Sequence, residues 1–247
     1  MANARLDGIL QAIGHLQSVQ DHFWEERSPD GPRPKKHVRD IYDGFISSWD
    51  PLRQEHLDRI RTCANSCSDD FEFRTSSEHS YLYLPVPERD ASLLPILDLA
   101  LKGRRLCDQK PKAKKSVSTS PMEWALELRI LLLHCRREDE SALGGETRAR
   151  PHGIVLRLEG GDCSHPYFHS QLCTSFGGSS GHPTDCLLIS PAWLPERIPA
   201  LPLNATEPLG LLACLLVGLY GIKAPVAQEM NRVPEYARAL RCIWSPP

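Results

Sequence analysis

The sequence predicts an α+β fold in which a helical N-terminal unit and further helices pack on a small antiparallel sheet. Up to residue 67, apolar residues recur mostly at three- and four-residue steps, which is the spacing of amphipathic helices. After residue 67, several runs alternate apolar and polar residues, which is the spacing of half-buried strands. We therefore divide the 247 residues into an N-terminal helical unit at 1–67 and an α+β domain at 68–247.

Three helices are predicted in the N-terminal unit. The first carries apolar residues from Leu6 to Phe23 and ends at the turn-forming residues 28–32. The second carries the apolar residues between positions 38 and 46. The third begins with Asp50 as its N-cap and Pro51 at its first helical position.

The first part of the α+β domain is predicted to contain a β-hairpin and two helices. Aromatic-rich segments at 71–74 and 81–84 form the hairpin. One helix lies near 92–106, and a second carries the apolar run at 124–133. The Ser-Pro-Met-Glu segment at 120–123 has the pattern of a capping box, which predicts the start of the second helix.

The second part of the domain is predicted to contain three strands and two helices. Strands are expected at 154–159, 163–173 and 185–190. An apolar helix at 209–220 and a short helix near 234–242 follow.

One face of the predicted strand at 163–173 is a row of hydrogen-bonding side chains. If this strand pairs with the one at 154–159, Arg157 and Glu159 lie beside that row. Two histidines beside a carboxylate and an arginine suit general acid–base chemistry on a phosphodiester. The candidate catalytic residues are His165 and His169 as acid and base, Arg157 as phosphate ligand, Glu159 as the group orienting a histidine, and Gln171 on the same face. The alternative is a sheet face covered by a helix, with its histidines only hydrogen-bonded in place.

The same segment raises the question of zinc. Four residues along a strand span about 13 Å, so His165 and His169 cannot share a zinc ion that lies about 2 Å from each ring nitrogen. On a helix the same pair could chelate with Cys173, and His182 and Cys186 add further ligand types. A glycine pair after an alternating run indicates a hairpin, so the strand interpretation is favoured. We therefore expect no metal site, and we find no cofactor motif.

A basic run offers a candidate nucleic-acid contact. Residues 102–115 contain seven cations and one acid, and such a run could bind phosphates. The candidate binding residues are Arg104, Arg105, Lys110, Lys112, Lys114 and Lys115. The alternative is a solvated loop, because no aromatic residue is interleaved for base stacking. The formal net charge of −2 makes no case for nucleic-acid binding by the whole surface.

The cysteines and the most apolar segment bear on the compartment. The nine cysteines are irregularly spaced and follow no secretory leader, which predicts reduced thiols and a cytoplasmic protein. The most apolar run, at 209–220, is shorter than the 20 or so residues that a membrane-crossing helix needs. No membrane association is expected.

Short motifs between residues 152 and 221 resemble an uncharacterised family of bacterial proteins. They are an Arg-x-Glu strand at 157–159, His-Pro-x-x-His at 165–169, Arg-Ile-Pro at 197–199 and an apolar helix ending in Tyr220. The His-Pro-His pattern is similar to one in some bacterial toxin–antitoxin proteins. This likeness implies a defence or toxin context by analogy and carries over no activity.

Three functional hypotheses follow. The leading one is a cytoplasmic bacterial accessory protein that binds a protein partner through its N-terminal helices. It rests on the long amphipathic first helix and on the lack of a complete catalytic constellation or cofactor motif in the sequence. The first alternative is a metal-independent, nuclease-like enzyme that uses the histidine pair with Arg157 and Glu159. The second alternative is a zinc-stabilised binding protein.

Overall fold

The computed structural model describes residues 2–25, 33–66, 70–88, 90–105, 122–135, 152–159, 169–173, 175–177, 186–188 and 207–244. The helices are α1 (Ala2–Trp24), α2 (Lys36–Ile46), α3 (Gln54–Ser66), α4 (Pro208–Tyr220), α5 (Pro225–Met230) and α6 (Pro234–Trp244). The strands are β1 (Asp50–Pro51), β2 (Phe71–Arg74), β3 (Ser80–Tyr83), β4 (Leu93–Arg105), β5 (Met122–His134), β6 (Gly153–Glu159), β7 (His169–Cys173), β8 (Ser175–Gly177) and β9 (Cys186–Leu188). A short 3-10 helix, Thr75–Glu78, lies between β2 and β3.

The α+β fold class is confirmed. The main sheet has seven strands, ordered β1-β3-β4-β5-β6-β7, with β2 paired to β4 beside this path. Its pairs are antiparallel except for β1 with β3, which are parallel, so the sheet is mixed. Strands β8 and β9 form a separate antiparallel pair.

The two helices predicted near 92–106 and 124–133 are wrong, because both segments are strands. They form the longest pair of the sheet, β4 with β5, in register from Leu93 opposite His134 to Arg105 opposite Met122. Part of each strand is buried on both faces and therefore appears as a continuous apolar run. Such a run fits a buried helix equally well, so the apolar pattern was misleading.

The predicted hairpin between 71–74 and 81–84 is also wrong, although both segments contain strands. Strands β2 and β3 each pair with β4, with Phe71 opposite Gly103 and Tyr83 opposite Ile96. The 3-10 helix between them is held to β4, because the Thr75 hydroxyl accepts a hydrogen bond from the backbone N–H of Leu99 at 2.9 Å. Because of this contact, the segment between β2 and β3 stays beside β4, with which both strands pair.

The third helix begins later than predicted, and Asp50 is not its N-cap. Asp50 and Pro51 pair in parallel with β3. The backbone N–H of Leu52 continues this ladder by donating to the carbonyl of Tyr81 at 2.7 Å. The backbone is therefore extended up to this point, and α3 begins at Gln54.

Apart from helix α5 and strand β8, the remaining elements match the sequence patterns. Helices α1, α2, α4 and α6 lie where they were expected, and strand β6 covers the predicted strand at 154–159. Strands β7 and β9 lie inside the predicted strands at 163–173 and 185–190, whose other residues lie outside the described ranges. Helix α5 was not predicted. Within those ranges, no helix has both the length and the apolar character needed to cross a membrane.

Helices cover one face of the sheet and form the larger hydrophobic core with it. The apolar side chains of α1 and α3 are buried there together with those of α4, α5 and α6. Helix α2 instead packs on the other face, in a second cluster with aromatic residues of β3. The predicted boundary between residues 67 and 68 stays a prediction. The helices before this boundary share both cores with elements after it.

Candidate functional site

The face of the sheet on which α2 packs, which we call the second face, has an apolar half and a charged half. In the apolar half, Leu131 and Leu133 of β5 pack with α2 and Phe176. Glu127 and Arg129 precede them at the same two-residue spacing and therefore lie on the same face. The charged half contains what we call the charged cluster, formed by side chains of β2, β4, β5 and β6: Arg74, Asp98, Lys102, Glu127, Arg129 and Arg157.

Glu127 is the centre of the charged cluster. Its Oε1 accepts hydrogen bonds from Nε of Arg129 at 3.0 Å and from Nε of Arg157 at 3.1 Å. Its Oε2 accepts from Nη2 of Arg74 at 3.0 Å and from Nζ of Lys102 at 3.2 Å. A carboxylate has about four acceptor sites, so these four bonds saturate it.

Arg74 and Asp98 form the buried side of the cluster. Arg74 donates from Nη1 to Asp98 at 3.3 Å and from Nη2 to Glu127. The other oxygen of Asp98 accepts from the Thr75 hydroxyl at 2.7 Å and from the backbone N–H of Ser76 at 3.0 Å. Burial alone would lower the pKa of Arg74, but the two carboxylates outweigh it and raise that pKa above its ordinary value. Arg74 therefore stays charged although its side chain is buried.

The protonation state of Glu127 is fixed by the same contacts. Burial alone would raise its pKa, but the charges of Arg74, Arg129 and Arg157 and the hydrogen bond from Arg74 lower it to about 2. Glu127 is therefore ionised at neutral pH and has no proton to donate. Because its acceptor sites are already occupied, it is also poorly suited to act as a general base. Its role in this arrangement is to hold the cations in place.

The charged cluster carries more positive than negative charge. It contains four cations and two carboxylates, a formal excess of two positive charges. The carboxylates are buried, whereas the exposed fraction of the side chain is 17% for Arg129, 27% for Arg157 and 41% for Lys102. The accessible part of the cluster itself is therefore cationic, and the carboxylates nearest to it on the same face are those of Glu72, opposite Lys102, and Glu123, opposite Arg104.

The predicted catalytic residues are only partly brought together. Strands β6 and β7 pair as expected, with Arg157 opposite Gln171 and Glu159 opposite His169. The side chain of Gln171 is exposed, and that of Arg157 points to the charged cluster. The side chains of Glu159 and His169 and the whole of His165 lie outside the described part of the chain. The acid–base assignment of the histidines stays a prediction.

The predicted nucleic-acid contacts begin beside the charged cluster. Arg104 lies on β4 one alternation beyond Lys102, and its side chain is 54% exposed, with Nε 3.9 Å from an oxygen of Asp70. Arg105 ends the same strand, and its side chain is outside the described residues. The other candidates, Lys110, Lys112, Lys114 and Lys115, also lie outside them.

Few of the residues considered as zinc ligands lie in the described part of the chain. Where side chains are described, no group of three or more His, Cys, Asp or Glu residues could hold a metal ion. Cys173 packs against the apolar half of the second face. Only the backbone of Cys186 is described, and His182 lies outside the described ranges.

The central residues of the charged cluster were not predicted. The signal was present in β5, where Glu123, Glu127 and Arg129 alternate with Trp124, Leu126, Leu128 and Ile130. That period of two indicates a half-buried strand, and it was masked by the apolar run that follows.

The comparisons with known proteins add no relative. No protein-family model, no curated protein and no solved structure matches the chain. The resemblance to a bacterial family and the defence context stay predictions.

Proposed function

We propose that the protein works by binding, and that the charged cluster binds phosphate groups of a nucleic acid. The observation that carries this proposal is the coordination of Glu127 by four cations. One buried carboxylate orients these cations, and their positive charge exceeds the negative charge of the cluster. A guanidinium group matches the geometry of a phosphate better than other cationic side chains do.

The layout of the cations supports an extended polyanion. Lys102 and Arg104 lie two residues apart on β4, a distance of about 7 Å along the strand. Arg129 and Arg157 lie opposite each other on neighbouring strands, at a strand spacing of about 5 Å. The charged half has no aromatic side chain among its described residues that could stack on a base. We therefore expect the cations to contact the phosphates of the nucleic acid with little preference for its base sequence.

A catalytic function has less support from the described side chains. A nuclease needs an acid and a base beside the phosphodiester, and Glu127 is unsuited to both roles because it is ionised and saturated. The nuclease-like alternative depends on His165 and His169. A nuclease assay with His169→Ala tests it separately: unchanged cleavage by this variant would remove the alternative.

The sequence-based hypothesis of a protein partner at the N-terminal helices remains a second proposal. The apolar faces of α1, α2 and α3 are buried in the chain's own cores. A partner would therefore contact their outward polar faces. The cysteines with described side chains form no disulfide with one another, which fits the proposal of a reducing compartment such as the cytoplasm.

The test of nucleic-acid binding is fluorescence anisotropy with labelled 20-nucleotide RNA and DNA, single- and double-stranded, between 50 and 200 mM salt. We expect the wild-type chain to bind, and Arg129→Gln to bind about tenfold more weakly, with a salt dependence reduced by about one phosphate contact. Arg61→Gln is the matched control, because Arg61 is a partly exposed cation on α3, away from the second face. Absence of binding at 50 mM salt, or equal weakening by both substitutions, would contradict the proposal.

A further inference from the structure

Three side chains with hydrogen-bond donors form one row across the sheet at the charged cluster. Arg129 of β5 lies opposite Arg157 of β6, and Arg157 lies opposite Gln171 of β7. Residues that are paired in this way share a face, and neighbouring strands are about 5 Å apart. We call these three residues the donor row. It presents two guanidinium groups and one amide to the same ligand.

Arg129 has donors left for a ligand. Its Nε is bound to Glu127 at 3.0 Å, and it has no second hydrogen-bond or ion-pair partner among the described residues. A guanidinium group has several further N–H donors, and the Arg129 side chain is 17% exposed. The side chain of Gln171 is also exposed. A ligand can therefore reach both ends of the donor row.

The apolar half of the second face closes one side of the donor row. Leu131, Val155 and Cys173 form the next row on this face. They belong to the hydrophobic cluster that packs with α2, and Leu131 and Val155 are fully buried in it. A polymer that reaches the donor row therefore cannot continue over the apolar half.

Carboxylates limit the cationic area on the other side. Lys102 lies four residues beyond the donor row along β4, a distance of about 13 Å. Glu72 lies opposite Lys102, and Glu123 lies opposite Arg104, on the same face. A long phosphate backbone that crossed this area would pass both glutamates, which repel it. The cationic area therefore suits the end of a strand better than its middle.

The charge of the cluster agrees with a strand end. The cluster has a formal excess of two positive charges. A phosphate monoester carries about two negative charges at neutral pH and has three acceptor oxygens, whereas a phosphodiester inside a strand has fewer of both. We propose, on the basis of the proposed function, that the donor row binds the terminal phosphate of a nucleic acid, with its oxygens at Arg129, Arg157 and Gln171.

The test compares 12-nucleotide single strands of one sequence that carry a 5′-phosphate, a 3′-phosphate or no terminal phosphate. Anisotropy of an internal label measures their affinity at 50 mM salt. We expect one phosphorylated strand to bind at least about tenfold more tightly than the strand without a terminal phosphate. This preference should decline between pH 7.5 and 5, because the monoester takes up its second proton near pH 6, whereas Glu127 stays ionised.

Two variants test the donor row, with circular dichroism to confirm that each is folded. Arg129→Gln should remove the preference for the phosphorylated strand. Gln171→Ala, which truncates an exposed side chain, should reduce it about threefold. Arg61→Gln, on α3 and away from the second face, should keep it in full.

The outcomes separate this inference from the proposed function. Equal affinity for all three strands, or a preference that Arg129→Gln and Gln171→Ala both retain, would overturn the inference and leave the binding of nucleic acid in place. Absence of binding by all three strands would overturn both.

Discussion

The apolar and charged halves of the second face are built on the same strands but are stabilised in different ways. In the apolar half, Trp24 stacks on Tyr42 with ring centroids 4.1 Å apart, and its indole N–H donates to the carbonyl of Tyr83 at 2.8 Å. In the charged half, a single carboxylate, Glu127, accepts bonds from four cations. Both halves follow the same alternation along β5.

This difference separates, along one strand, a half stabilised by apolar burial from a half stabilised by ion pairs. The apolar half is covered by α2, and burial of its side chains stabilises the fold. The charged half is stabilised by pairing, and its pairing leaves an excess of partly exposed cations. Because an excess charge near solvent attracts counter-ions, the charged half is the part of this face that is suited to a ligand.

The largest effect is expected from removal of the carboxylate at the centre of the charged half. Glu127→Ala should lower the free energy of unfolding by about 3–5 kcal/mol, because buried Arg74 loses a partner and four cations are left beside one carboxylate. Urea denaturation at 25 °C measures this loss.

The matched control lies in the apolar half of the same strand. Leu131→Ala should cost about 2–5 kcal/mol through lost burial and a cavity. In 1 M salt the loss caused by Glu127→Ala should shrink because salt screens the repulsion between cations, and the loss caused by Leu131→Ala should not shrink. Identical salt responses would show that the two halves are not stabilised differently.

The sequence predicted the fold class and the elements with unambiguous periodicity. Helix α4 is apolar on most sides and has a proline in its first turn, and it begins within one residue of its predicted start. Strands β4 and β5 were missed because leucine-rich runs fit two structures. Which strands become neighbours is decided by tertiary contacts such as that of Thr75 with β4, so the hairpin error was not avoidable from local spacing.

The candidate site was partly predictable. The glycine pair and the alternating runs correctly predicted that Arg157 lies opposite the strand carrying Gln171. The partner of Arg157, Glu127, was assigned to a helix interior and therefore missed. Arg74 and Glu127 are 53 positions apart, and no local pattern shows that two such distant residues meet in a buried ion pair.

A pH series should reveal the second-largest effect. The pKa of Glu127 is about 2 in the folded chain, against an ordinary value of 4.5. Between about pH 2 and pH 4.5 the folded chain therefore binds fewer protons at Glu127 than the unfolded chain does. The stability that Glu127 contributes is complete above about pH 4.5 and is lost as the pH falls towards 2. A shift of this size corresponds to about 3 kcal/mol.

Glu127→Gln is the variant that isolates this pH dependence. The difference in the free energy of unfolding between wild type and variant should narrow by about 3 kcal/mol from pH 5 to pH 2. Urea denaturation at half-unit pH steps measures it. Parallel curves for the two proteins would contradict the assigned pKa of Glu127.

A smaller effect is expected at the aromatic stack of the apolar half. Trp24→Phe keeps an aromatic ring beside Tyr42 but removes the hydrogen bond to the carbonyl of Tyr83, which should cost about 1–2 kcal/mol. Trp49→Phe is the control, because the Trp49 indole makes no hydrogen bond to the described residues and should cost less. Thermal denaturation ranks the two, and a larger loss for Trp49→Phe would contradict the role given to the Trp24 bond.

The smallest change in stability is expected from Lys102→Met. The Lys102 side chain is 41% exposed, and Glu127 keeps three other cations, so the free energy of unfolding should change by less than about 1 kcal/mol. If the charged half binds phosphates, the same substitution should weaken oligonucleotide binding about three- to tenfold. Lys223→Met, which removes an exposed cation in the turn between α4 and α5, should leave oligonucleotide binding unchanged. If a folded Lys102→Met variant binds the oligonucleotide with wild-type affinity, Lys102 is not part of the binding surface. A loss of affinity for the oligonucleotide without a loss of stability would place binding in the charged half.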